Sequence, residues 1–150
     1  MIIIYRFLIN LTLVFSPIII FVRLLKKKED LIRFKEKFTL FSNKRKKGTL
    51  IWFHGASVGE ILSVIPLIRK LERKKNINQI LLTSSTISSS KIFNKFKFTK
   101  TIHQFFPIDT TFFTNRFLSF WKPKLAIFIE SEIWPNMLNN FKKKSKNRIL

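Results

Sequence analysis

Hydrophobic and polar positions divide this chain into three stretches of different texture. In the first, no charged residue falls between Phe7 and Val22, and the apolar run reaches outward to Ile2 and Leu25 across Arg6 and Arg23. About 20 apolar residues suffice to span a bilayer as a helix, so the pattern predicts a membrane-anchor helix over residues 1–25. Arg6 and Arg23 can snorkel to the interfaces, and Asn10 and Pro17 are tolerated within such a helix. A removable signal would need a short basic start and a small-residue cleavage site, and neither is present. A soluble core helix would show a polar face, which is missing. The segment reads as an uncleaved anchor, either spanning the membrane or lying in its interface.

The second stretch, residues 26–48, is a basic juxtamembrane segment. Lys26, Lys27 and Lys28 follow the anchor at once, with Arg33, Lys35 and Lys37 close behind and Asn43-Lys44-Arg45-Lys46-Lys47-Gly48 at its end. By the positive-inside rule this flank, and all that follows, is expected on the cytoplasmic side. Cations so placed should hold anionic membrane lipids.

The third stretch, residues 49–150, alternates short apolar runs with helix-period segments. Strands are predicted over 49–54, 79–83, 101–106 and 125–129, and a fifth begins at 148–150. Between them, residues 60–74 place Ile61, Val64, Ile65, Ile68 and Leu71 at helical spacing, with Arg69, Lys70, Arg73 and Lys74 opposite. Pro66 kinks that helix or marks its first turn. Residues 84–98 read as a Ser/Thr-rich loop leading into a helix. Residues 110–121 are helical with Phe113, Phe117 and Phe120 on one face, and 132–143 are helical with Pro135 in the first turn. Strands alternating with helices imply an α/β fold with a parallel sheet covered on both faces. Ligands of such sheets lie outside the carboxyl ends of the strands. The turns to inspect are therefore 55–59, 83–90, 107–110 and 130–134.

Composition narrows the chemistry. The chain has 150 residues, with 29 Lys plus Arg against 8 Asp plus Glu, for a formal net charge of +21. That balance favours polyanionic partners. It selects among them weakly, because Lys, Ile, Phe and Asn dominate residue usage throughout. No nucleic acid is expected, since no nucleic-acid recognition motif accompanies the charge. The absence of Cys excludes disulfides, thiolate metal sites and a Cys nucleophile, and two separated histidines, His54 and His103, give no zinc pattern. Neither a Walker loop nor Gly-x-Gly-x-x-Gly is present, so ATPase and dinucleotide chemistry have no support.

The first turn carries the most. Gly55 and Gly59 let the backbone bend and approach a ligand, Ser57 can cap or bind through its hydroxyl, and Glu60 falls at the helix N-terminus. An ionised carboxylate there is favoured by the free N–H groups and the helix dipole, and can take a proton from an attacking hydroxyl. The same position suits an ordinary first-turn cap. Glu130 and Glu132 follow the fourth strand directly; one can neutralise at the helix start, or both can be capped and solvated. Thr83 and Thr86 open a row of hydroxyls, at residues 83–90, suited to a sugar or phosphate or simply to a loop.

Taken together these segments resemble the 3-deoxy-D-manno-octulosonic acid (Kdo) transferases of lipopolysaccharide assembly. Arg33-Phe34-Lys35-Glu36-Lys37-Phe38 looks like a degraded form of that family's Arg-rich, Glu-Arg-x-Gly stretch. Trp52-Phe53-His54-Gly55-Ala56-Ser57-Val58-Gly59-Glu60 is close to its His-Ala-x-Ser-x-Gly-Glu signature, with Gly55 in place of Ala. The hydroxyl row stands where the family has a Thr-rich turn, here without its usual Gly. Pro107-Ile108-Asp109 matches Pro-x-Asp. Trp121-Lys122-Pro123-Lys124 leads through a strand to Glu130-Ser131-Glu132-Ile133-Trp134-Pro135-Asn136, similar to Glu-x-Glu-x-Trp-Pro-Asn.

The resemblance implies the N-terminal, acceptor-binding half of a glycosyltransferase B-type fold, Rossmann-like, working without metal or other cofactor. It implies Glu60 as catalytic base, and Ser57, Gly59, Glu130, Glu132, Thr83 and Thr86 as substrate-binding residues, with Glu130 the favoured member of its pair. The acceptor would be a lipid A precursor and the donor CMP-Kdo, at the cytoplasmic face of a bacterial inner membrane. Because the chain ends at Leu150, the C-terminal donor domain is expected to be absent. The chain would then be an incomplete enzyme, or a non-catalytic membrane-bound module binding anionic glycolipid.

Overall fold

The computed structural model describes residues 2–129, 134–144 and 148–149. An N-terminal helix α1, Ile2–Leu25, leads through a 3-10 helix, Arg33–Phe38, into the α/β body. The body runs β1 Leu50–His54, α2 Val58–Glu72, β2 Gln79–Ser84, α3 Ile87–Phe93, β3 Thr101–Phe105, α4 Thr111–Trp121, β4 Leu125–Phe128, α5 Pro135–Lys144 and β5 Arg148–Ile149. The expected strands and helices are all present, with boundaries moved by a few residues. Two differ more. Pro66 lies well inside α2, on its exposed face, where water can satisfy the freed carbonyl one turn back. The helix expected after the hydroxyl row is only the seven residues of α3.

All strand pairs are parallel, in the order β3-β2-β1-β4-β5. The chain winds outward from β1 to β3, then crosses back to begin again beside β1. This is the Rossmann order, and its reversal between β1 and β4 leaves a crevice at their carboxyl ends. Every residue of β1 is buried, as a central strand covered on both faces requires. Alternate residues serve opposite cores. Ile51 and Phe53 join Ile61, Val64, Ile65 and Ile68 of α2 and Phe93 of α3. Leu50 and Trp52 join Phe117, Leu118 and Trp121 of α4 and Met137 and Phe141 of α5.

Residues 26–48 pack onto this body. The Arg33 guanidinium forms a two-pronged ion pair with Glu36, Nε to Oε1 at 2.9 Å and Nη2 to Oε2 at 3.0 Å. Glu36 is fully buried, and its Oε2 accepts the Phe105 N–H at 2.8 Å. Arg33 also donates to the His103 carbonyl at 2.9 Å, which fixes the segment to β3. Burial, with the adjacent Arg33 charge, pushes the His103 imidazole down to about 3, so it is neutral at pH 7. Thr39 ends the 3-10 helix with φ of 59°. It stands where the Glu-Arg-x-Gly pattern has glycine, and a β-branched residue adopts that conformation under strain.

Candidate active site

Glu60 stands at the carboxyl end of the central strand. The chain leaves β1 at His54, bends through Gly55 and Ala56, and starts α2 after Ser57 as N-cap. The Ser57 hydroxyl accepts the Glu60 N–H at 3.2 Å. In return Glu60 Oε1 accepts the Ser57 N–H at 3.2 Å and Oε2 accepts the Ala56 N–H at 2.9 Å. This is a capping box with one additional N–H on the carboxylate. Glu60 is only 8% exposed. Burial alone pushes its carboxyl up. The hydrogen bonds from Ser57 and the Ala56 and Ser57 N–H groups, with a smaller pull from His54, outweigh it and set the carboxyl below the usual range. At neutral pH the group is an anion, and among the described residues each of its oxygens accepts one backbone N–H and keeps one lone pair unspent.

The two glycines of this turn differ. A Cβ on Gly55 would lie 3.1 Å from Glu60 Cβ and 3.2 Å from Ile129 Cδ1. The family's Ala is therefore admitted only by a shift of a few tenths of an ångström. A Cβ on Gly59 would meet just Ser57 Oγ, at 4.0 Å. Nothing within the described residues requires that glycine, although glycine in a helix costs about 0.5–1 kcal/mol relative to Ala. The missing side chain leaves open surface beside Ser57 at the helix start.

The second turn is tied to the first. Thr86 is N-cap of α3, its hydroxyl accepting the Ser89 N–H at 3.2 Å, and Ser89 Oγ donates to the Ala56 carbonyl at 3.1 Å. Thr86 stays exposed at the rim. Thr83 is fully buried beneath it, accepting the Trp52 indole N–H at 2.8 Å, with His54 Nδ1 2.9 Å from its hydroxyl. Burial lowers His54 to about 4, so its ring is neutral at pH 7. It stacks on Phe106 at 4.0 Å between centroids and meets Trp134 edge-on at 6.3 Å. Ile129 N–H donates to the His54 carbonyl at 2.9 Å. His54 of the first motif thus touches Ile129, just before the second motif, and Trp134 within it. Glu130 and Glu132 themselves lie outside the described residues.

Asp109 received no role from its Pro-x-Asp setting. Its Oδ2 accepts the Asn136 N–H at 3.0 Å and its Oδ1 the Met137 N–H at 2.8 Å, so it caps the first turn of α5 from another part of the chain. Asn136 Nδ2 donates back to the Asp109 carbonyl at 2.6 Å. Two motif ends, 27 residues apart in sequence, are thus one clamp. No periodicity marks such a contact, and neither motif string points to it.

The Rossmann order puts the ionised Glu60 carboxylate at the reversal point of the sheet, the place where ligands of such sheets bind. Residues 32–150 match the family described as 3-deoxy-D-manno-octulosonic-acid transferase (kdotransferase), and the chain belongs to that family. It is 43% identical over 135 residues to 3-deoxy-D-manno-octulosonic acid transferase of Rickettsia bellii, covering 90% of this chain and 32% of that protein. A probable mitochondrial 3-deoxy-D-manno-octulosonic acid transferase of Arabidopsis thaliana is 38% identical over 138 residues, covering 90% of this chain and 31% of the relative. The Haemophilus influenzae enzyme of the same name is 35% identical over 89 residues, 59% of this chain and 21% of its own. The chain spans about a third of the length of the first two of these relatives.

Proposed function

We propose that this chain is the acceptor-side half of a membrane-attached Kdo transferase, moving Kdo from CMP-Kdo to a lipid A precursor at the cytoplasmic face of a bacterial inner membrane. The observation that carries it is the Glu60 carboxylate, ionised and nearly buried at the crevice between β1 and β4, within the signature shared with the family. An acceptor hydroxyl entering over Gly59 gives its proton to Glu60 as its oxygen bonds to the anomeric carbon of Kdo. The bond from that carbon to the CMP phosphate oxygen breaks, CMP leaves with the electron pair, and the configuration inverts. Ser57, Gly59 and Thr86 form the rim that meets the acceptor, while Thr83 sets the floor through Trp52 and His54. Glu130 and Glu132 arrange the donor side, and CMP-Kdo is held mainly by a further region in the same or a companion chain. Anionic membrane lipids meet the basic segment after α1.

Supplied with a donor-binding region in cis or in trans, the chain is expected to transfer Kdo to a lipid A precursor. Glu60→Gln should then lower turnover by at least ~100-fold while acceptor binding persists, the size of effect expected for a lost general base. Unchanged turnover would reduce Glu60 to a helix cap. The net charge of +21 favours a second reading, a non-catalytic membrane-bound module that holds anionic glycolipid. That reading takes over if the completed protein binds the acceptor and never transfers Kdo.

A further inference from the structure

Helix α1 has the length and hydropathy of a membrane span over Ile3–Leu25, with 6% of its most apolar window buried. Yet it is fastened to the body at both ends. Near its start the Tyr5 hydroxyl donates to Asp109 Oδ2 at 2.8 Å and Arg6 Nε donates to Asn136 Oδ1 at 2.9 Å. Near its end Arg23 Nε donates to Glu29 Oε1 at 2.6 Å, and Lys37 of the 3-10 helix reaches the same oxygen at 2.6 Å. Between these points Ser16 and Ile20 are buried, each 9% exposed. Leu13, Ser16 and Ile20 face Lys37 and Ile108 across a shallow groove of about 260 Å³. Tyr5, Arg6, Ile9, Leu13, Ser16, Ile20, Arg23 and Leu24 are the shielded positions, a stripe built on spacings of three and four. Apart from Asn10 and Thr12, the exposed remainder of the helix is apolar: Phe7 is 68% exposed and Val14 72%.

Tyr5 to Arg23 is 18 residue steps, about 27 Å of helix. The hydrocarbon of a bilayer is about 30 Å thick. Were this docked helix to span it, Asp109, Asn136, Glu29 and Lys37 would be drawn in alongside, and charged and polar groups in hydrocarbon are expensive. The cost vanishes if the helix lies flat, its stripe on the body and its outer face among the acyl chains. The helix's own Tyr5, Arg6, Ser16 and Arg23 lie on that inner side, three of them hydrogen-bonded there. Lys26, Lys27 and Lys28, all exposed, then meet anionic headgroups, and Leu31 and Ile32, 75% and 80% exposed, follow as further apolar contacts.

We infer that α1 is an in-plane anchor, seating the α/β body sideways on one leaflet of an anionic bilayer instead of hanging it from a span. The inference rests on the membrane attachment proposed above and specifies its geometry. Since the anchor's first turns grip Asp109 and Asn136 at the starts of α4 and α5, the sheet edge that carries Glu60 is held at a fixed height above the lipid.

The chain has no cysteine, so single Cys can be placed cleanly in the full-length protein at Ile3, Leu11, Val14, Ile18, Val22 and Lys28. Flotation with phosphatidylethanolamine–phosphatidylglycerol vesicles reads attachment first. Spin labels at Leu11, Val14, Ile18 and Val22 should then report one shallow depth. Cys at Ile3 and Lys28 should react with an impermeant maleimide from the same side of sealed vesicles. A depth maximum at Val14, with Ile3 protected until the vesicles are opened, overturns the in-plane anchor and leaves attachment standing. Failure to float overturns attachment and the in-plane anchor together.

Discussion

Glu60 and Asp109 make an instructive pair. Both are carboxylates at the carboxyl edge of the sheet, and both accept two backbone N–H groups at the start of a helix. Glu60 serves its own helix, 8% exposed at the reversal point between β1 and β4. Asp109 serves α5, which lies elsewhere in the chain, and the Tyr5 hydroxyl closes over it. Their proton affinities diverge accordingly: hydrogen bonds hold Glu60 below the usual range despite burial, whereas burial pushes Asp109 above it despite hydrogen bonds from Tyr5, Asn136 and Met137. The same local chemistry gives a candidate base at the reversal point of the sheet and a structural clamp where a tyrosine hydroxyl closes over the carboxylate.

The sharpest way to break that contrast is to remove each carboxylate in turn. The Glu60→Gln loss of at least ~100-fold in turnover should come with a stability loss of only about 1 kcal/mol, read from urea midpoints. Asp109→Ala should reverse the profile. Two helix-start N–H groups and Tyr5 lose their acceptor, costing about 3 kcal/mol, while turnover per folded molecule stays within a few-fold. If Asp109→Ala abolishes turnover in protein shown to be folded, the division between base and clamp fails.

Acid titration sharpens it next. Glu60 is depressed in the folded state, so its contribution is present above its unfolded value, about pH 4.3, and is lost as pH falls toward its folded one. Asp109 is raised in the folded state, so the folded protein holds that proton longer, and stability declines as pH rises from about 3.9 through its folded value. Stability measured against pH should therefore lose its rising limb in Glu60→Gln and its opposing, falling limb in Asp109→Asn. Limbs that move in the same direction would contradict the assignments.

Two smaller effects follow. Tyr5→Phe removes the hydroxyl that closes over Asp109 and should cost about 1 kcal/mol by thermal unfolding, with Glu60-dependent turnover intact. Gly59→Ala fills open surface in the first turn of α2. It should stabilise the fold by about 0.5–1 kcal/mol while weakening acceptor binding. A stabilised variant with unchanged acceptor affinity would place the acceptor away from that turn.

Much of the architecture was legible in the chain. Alternating apolar runs and helix-period segments predicted the strands and helices, because each is governed by spacings of two and 3.6 residues that neighbours in sequence impose. The Glu60 capping box was visible for the same reason, since Ser57 and Glu60 are three apart. Thr83 was harder. In sequence it opens a row of hydroxyls, and only the pairing of β1 with β2 brings it under Trp52 and His54. The basic segment hid Glu36 and Arg33 among lysines, although together they form a buried tie to β3.

The sequence by itself determined the parallel α/β design, the apolar N-terminal helix, the cap at Glu60 and the family. Each depends on contacts within a few residues or on a motif string. Tertiary structure alone decided which N–H groups Asp109 meets, which residues flank His54, and along which stripe α1 rests on the body. Those are contacts between segments up to 130 residues apart. Their geometry is set by strand order and packing, which no local spacing encodes.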